Sequence, residues 1–210
     1  ILSDAHLAFN ACLAILFLPL VSAVAALVEK IIVENEQDQN KTGVKYLDEE
    51  LIGTPVLALS NASREVLHMT EHVERMLQGI MVAMKESDIT VIDELCDIDD
   101  LVDAHYEQIK LYVTKISKHE MSSDESLRCA EILLFVTNLE HIGDIAENIL
   151  NIARKKATDN LSFSKEGLSE IEILHQDVTS NLSLATSMFI SGDLSIARQL
   201  VEEKTEINKL

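Results

Sequence analysis

Tryptophan is absent from the 210 residues, aromatic side chains make up only 4%, and there are just 6 glycines and 2 prolines. Sheets need aromatic and β-branched strands separated by many turn residues, so this scarcity excludes a predominantly β architecture and points to an all-α chain. The three cysteines, Cys12, Cys96 and Cys129, are odd in number and widely scattered. They form neither a disulfide framework nor a zinc spacing, which fits a reducing cytosol. Basic residues are few: 17 against 36 acidic ones, a net charge of −19. Such a surface repels polyanions, so no nucleic acid is expected as a partner. No Ser-His-Asp arrangement, glycine-rich phosphate loop or Cys-His pair occurs, and no enzyme is expected. The length suffices for one or two domains with a real core.

What is present begins with an apolar run. From Ala11 to Val28, 18 residues carry no charge, about enough to cross a hydrocarbon core as a helix. No basic stretch precedes it, which argues against a cleaved signal peptide, and it lacks the polar stripe of a buried core helix. The expectation is one transmembrane helix in residues 1–28, kinked at Pro19 and edged by His6 and Asn10, the end of a membrane domain. Lys30, Lys41 and Lys45 follow it and favour a cytosolic C-terminal side. Because the chain opens on Ile, it reads as an excerpt of a longer protein. Residues 29–54 are polar and read as a linker.

Beyond the linker the apolar period is helical. Thr54-Pro55 marks a helix start, and a stripe runs through Ala62, Val66, Met69, Val73, Met76, Ile80 and Ala83. Ser87-Asp88 ends that helix and caps the next, whose stripe is Val91, Leu95, Ile98, Val102, Ile109, Val113 and Ile116. Ser122 with Glu125 forms a capping box ahead of Ile132, Val136, Leu139, Gly143, Ala146 and Leu150. Ser162 to Ser164 opens a fourth helix carrying Leu168, Ile171, Leu174, Val178, Leu182 and Ala185. Gly192-Asp193 turns into a fifth. Amphipathic helices joined by short turns predict a bundle.

A shift of 105 positions lays the fourth and fifth helices on the first and second without a gap. Val66 meets Ile171, Val73 meets Val178, Asp88 meets Asp193 and Leu95 meets Leu200. A fixed offset held through a turn is the mark of duplication. The reading is a first three-helix repeat at 55–160 and the start of a second at 161–210, with its third helix expected beyond Leu210.

Between Glu86 and Asp103 lie eight acidic residues and no basic one. Asp99 and Asp103 share a helical face, and Glu140 and Asp144 form a matching pair on the third helix. Two such pairs on adjacent helices could converge on a cation. All-oxygen ligands suit a divalent or iron-type metal, and ordinary solvated acids are the competing reading. Gly143, in a helix interior, implies close approach by a neighbour. At the shifted positions stand Lys204 and Asn208, so any metal site is confined to the first repeat. His68 and His72 also stand four apart, but no third ligand is visible and two polar-face histidines are the better reading.

The segments AHLAFNACLAILFLPLVSAVAALV, YLDEELIGTPVLALSNASREVLHM and NLEHIGDIAENI together resemble bacterial sodium–phosphate cotransporter proteins, whose membrane domain carries a PhoU-like domain. The resemblance implies a tandem three-helix PhoU-like bundle with an incomplete second repeat. It also implies metal-binding acidic motifs at Asp99 with Asp103 and at Glu140 with Asp144. His141 departs from the family's usual Arg. The function implied is sodium-dependent transport of inorganic phosphate, regulated by the bundle. Partners would be phosphate and sodium through an upstream membrane domain and the lipid bilayer, with a homo-oligomer left open. The place would be the bacterial inner membrane with the bundle in the cytoplasm, and sodium or phosphate ligands would lie upstream. The alternative is a membrane-anchored signalling adaptor or metal-binding bundle that does not itself transport.

Overall fold

The computed structural model describes residues 43–207 together with His6 and Phe9. The chain divides into two compact units, Ile1–Lys41 and Thr42–Leu210, and the described architecture is that of the second. A 3-10 turn at Glu49–Leu51 leads into five helices: α1 (Pro55–Glu86), α2 (Ile89–Ile116), α3 (Ser123–Thr158), α4 (Lys165–Ser191) and α5 (Leu194–Ile207).

Local chemistry sets these boundaries. Pro55 occupies the first turn of α1, where its missing N–H costs nothing. Ser87 closes α1 in the left-handed region at φ 57°, and Asp88 caps α2 by accepting the Thr90 N–H at 2.9 Å. At α3 the capping box is complete: Ser122 Oγ accepts from Glu125 N–H, and the Glu125 carboxylate accepts from Ser122 N–H at 2.6 Å. The α4–α5 turn repeats the α1–α2 turn 105 positions later. Gly192 sits at φ 66°, and Asp193 accepts the Ser195 N–H at 2.8 Å.

Helices α1, α2 and α3 pack on one another around a shared core. Val66, Met69, Val73, Met76, Ile98, Val102, Ile109, Ile132, Val136, Leu139 and Leu150 are all buried there. Burial of each large side chain contributes roughly 1.5–3 kcal/mol, which is why the three stripes meet. Helix α4 lies against α1, and α5 against α4. Only Leu182 and Phe189 of α4 are buried, while Leu174 and Val178 of its predicted stripe stay exposed. A groove of about 660 Å³ runs between α1, α3, α4 and α5.

The expected membrane span is corrected here. Among the described residues no helix is long and apolar enough to cross a membrane. The physical reason is that α1, α2 and α3 spend their apolar stripes on one another, and every described helix carries charged residues along its length. The run 11–28 that carried the expectation lies outside the described residues. The transmembrane helix is therefore not part of the described fold, which is an all-α helical bundle. The described helices therefore give no support to placement in the inner membrane, contact with a bilayer, or access to phosphate and sodium through a membrane domain.

Residues 43–54, expected as part of a loose linker, are pinned to the bundle. The Lys45 and Tyr46 N–H groups donate to Glu65 Oε2 at 3.0 and 2.6 Å, and Tyr112 Oη donates to the Asp48 carbonyl at 2.7 Å.

Candidate metal centre

The α2–α3 interface brings three of the four predicted carboxylates together. Asp99, Asp103 and Asp144 each offer an oxygen, all within 4.8 Å of one another. Glu140 does not join that group, and its carboxylate lies 3.5 Å from His141. Gly143 makes the close approach feasible. A Cβ there would meet Asp99 Oδ1 at 2.9 Å and Val102 Cγ1 at 3.2 Å. The neighbour implied by this glycine is thus the side chain of Asp99 itself.

Among the described residues, no lysine or arginine forms a salt bridge with these three acids. Asp99 Oδ1 is buried without a hydrogen-bond partner. Burial, then repulsion from Asp103, Glu147, Asp144 and Asp100, pushes the Asp99 carboxyl up to about 6. Burial and the charges of Asp144, Asp100, Glu107 and Glu147 raise Asp103 as well. Mutually repelling oxygens with no internal cation are the donor set that a hard, oxygen-preferring metal satisfies. Two plausible ligand clusters exist among the described residues, and this acidic one would favour Mg²⁺, Mn²⁺ or iron.

The second cluster was missed by sequence reasoning. His68 and His72 do not lie on a polar face, because His105 of α2 packs against both as a third ring. His105 is fully buried and His68 nearly so. The ring centres lie 5.0, 4.9 and 5.1 Å apart in pairs, close to an equilateral triangle. Glu65, also fully buried, stands beside them: its Oε1 is 3.1 Å from His105 Nε2 and 3.2 Å from His68 Nδ1. Burial alone would raise the Glu65 carboxyl. Hydrogen bonds from His105, the Tyr46 and Lys45 N–H groups and His68 outweigh it and hold the carboxyl at about 2. Burial, then the nearby His105, His68, Arg75 and Lys45, depresses His72 to about 4, so its ring is neutral at pH 7. One signal was legible: the α2 stripe skips from Val102 to Ile109, and His105 fills the inward position between them.

Residues 66–153 match the PhoU domain model. Curated relatives include YjbB of Escherichia coli (strain K12) and of Salmonella typhimurium (strain LT2), each provisionally named an inorganic phosphate export protein. Each is 35% identical over 200 residues, covering 95% of this chain and 37% of the relative, so the chain spans well under half of their length. No solved structure shows a significant match. The sodium–phosphate cotransporter resemblance is corrected accordingly. Its most specific segment, NLEHIGDIAENI, lies inside the PhoU match and identifies that domain rather than a transport chemistry, and the relatives' name speaks of export without sodium. Residues 66–153 thus match a PhoU domain, and domains of that family are regulatory, non-catalytic modules.

Proposed function

We propose that the described unit is a metal-responsive regulatory bundle serving inorganic-phosphate handling, and that it does not itself transport. The observation that carries the reading is the convergence of Asp99, Asp103 and Asp144 beside Gly143, with an unpartnered buried oxygen on Asp99. Phosphate enters through the printed name of the YjbB relatives and through the PhoU match.

A hard divalent or iron-type cation held by these three acids, with Glu140 and Glu147 on the adjoining turns of α3, neutralises the repulsion across the α2–α3 interface. Binding therefore tightens two helices that the empty cluster pushes apart. The bundle's stability becomes a readout of cation occupancy. The duplication supports treating 55–160 as one repeat and 161–210 as the start of another. Because Lys204 and Asn208 stand where Asp99 and Asp103 recur, the acidic site belongs to the first repeat alone.

The test is Mn²⁺ binding to the chelator-stripped chain, followed by loss of free-ion paramagnetic resonance and by thermal unfolding. Saturable binding that raises the unfolding temperature, lost in Asp103→Asn and Asp144→Asn, is expected. Mn²⁺ uptake unchanged in both variants would overturn the assignment.

A further inference from the structure

The histidine cluster is a second site, of different chemistry from the acidic one. We infer that Glu65, His68, His72 and His105 bind a divalent transition ion of zinc type, and that Lys45 is the group this ion displaces.

The geometry fits the ion. A ring nitrogen about 2.0–2.1 Å from Zn²⁺ puts the ring centre about 3.2 Å from the metal, and tetrahedral angles then space ring centres about 5 Å apart. The three observed spacings run from 4.9 to 5.1 Å. His105 Nδ1–H donates to the Leu101 carbonyl at 2.6 Å, and its Nε2 faces the cluster, 3.1 Å from Glu65 Oε1 and 3.0 Å from His68 Nδ1. A backbone carbonyl on the far nitrogen is the usual outer support of a metal-binding histidine. Glu65 is held in the same manner: its Oε2 accepts two backbone N–H groups, leaving Oε1 turned to the rings. His72 Nδ1 is buried and has no hydrogen-bond partner.

The proton inventory makes the same point. Lys45 Nζ lies 2.9 Å from His68 Nε2 and donates to it, so the neutral His68 ring carries its proton on Nδ1. That one proton faces Glu65 Oε1 at 3.2 Å and His105 Nε2 at 3.0 Å. A bound cation would take the place of the protons that the His68 and His105 nitrogens now direct at Glu65 Oε1. Three nitrogens and one oxygen select a borderline ion such as Zn²⁺ or Co²⁺ over Mg²⁺.

Lys45 sets the cost of binding. For His68 Nδ1 to ligate, its proton must leave that nitrogen and Nε2 must carry one instead, which turns Nε2 from acceptor to donor. The Lys45 ammonium then has no partner at Nε2 and swings away, and its exposed side chain leaves a route for the ion. Loading would thus loosen the contact of residue 45 with the bundle, while the N–H bonds to Glu65 Oε2 remain.

The test uses the full chain stripped with chelator and titrated with Co²⁺ alone, read by visible absorption and calorimetry, with far-ultraviolet circular dichroism as the fold control. One equivalent of Co²⁺ with the intense visible bands of a four-coordinate nitrogen-rich site is expected. Those bands should be lost in His72→Ala, whose ring makes no hydrogen bond through Nδ1, and retained in Asp99→Asn. Lys45→Met removes the competing ammonium and should tighten binding about tenfold, the equivalent of one charged hydrogen bond. If the bands persist in folded His72→Ala, or if no bands form in the native chain, the site is refuted. Unchanged affinity in Lys45→Met would refute the displacement.

Discussion

Replacing Asp99 with asparagine should stabilise the metal-free bundle while abolishing the acidic site. The carboxyl is pushed from 3.8 to about 6 by burial and by its acidic neighbours. Because the folded value lies above the unfolded one, the folded state binds more protons between pH 4 and 6, and stability falls as pH rises through that window. Above pH 6 the penalty is constant. A shift of that size corresponds to about 3 kcal/mol at full value, which the solvent-exposed Asp103 and Asp144 screen to about 1–2 kcal/mol. For a unit of this size that is roughly 3–6 °C in unfolding temperature. The assay is thermal and urea unfolding in chelator at pH 8 and pH 4. Asp99→Asn should be the more stable protein at pH 8, with the gain vanishing at pH 4. A variant equally stable or weaker at pH 8 would refute the claim that these carboxylates repel one another in the folded chain.

Other outcomes follow from particular contacts. Glu65, with its carboxyl held at about 2 against an ordinary 4.5, stabilises the fold above pH 4.5 and loses that contribution as pH falls toward 2. Glu65→Gln should therefore cost about 3 kcal/mol at pH 7 and progressively less on acidification, measured by urea unfolding across pH. Leu139→Ala, in the three-helix core, should cost about 2–5 kcal/mol by the same measurement. Arg128 donates to the Phe189 carbonyl and to Ser63 Oγ, both at 3.1 Å, and lies over the Phe189 ring, which stacks on Phe135. Arg128→Ala should speed amide exchange in α4 roughly tenfold and leave the core of α1–α3 unchanged.

How much of this was legible in the sequence depended on range. The capping box at Ser122, the caps at Asp88 and Ser164 and the Gly192 turn are settled by neighbours within four residues, so their chemistry could be read directly. The acidic site was half legible. Spacing put Asp99 with Asp103 and Glu140 with Asp144, but which members meet depends on the register between α2 and α3, and Glu140 fell outside. The histidine site needed a residue 37 positions from His68, delivered by antiparallel packing that no local pattern encodes. Glu65 was hidden for the same reason, since its partners at 45, 46 and 105 come from segments on either side. The apolar run at 11–28 suggested a span from composition alone, and composition does not say how a segment is arranged.

Helix α2 carries residues of both clusters. Asp99 and His105 are six residues apart, about 9 Å along the helix axis, with buried Val102 between them. That separation is about one screening length, and the intervening space is packed protein rather than salt water. Two divalent ions at such range repel, so filling either site weakens the other by the same factor in both directions. With both proposed sites loaded, the bundle would work as a comparator, its state following the ratio of a hard cation to a borderline one rather than the amount of either.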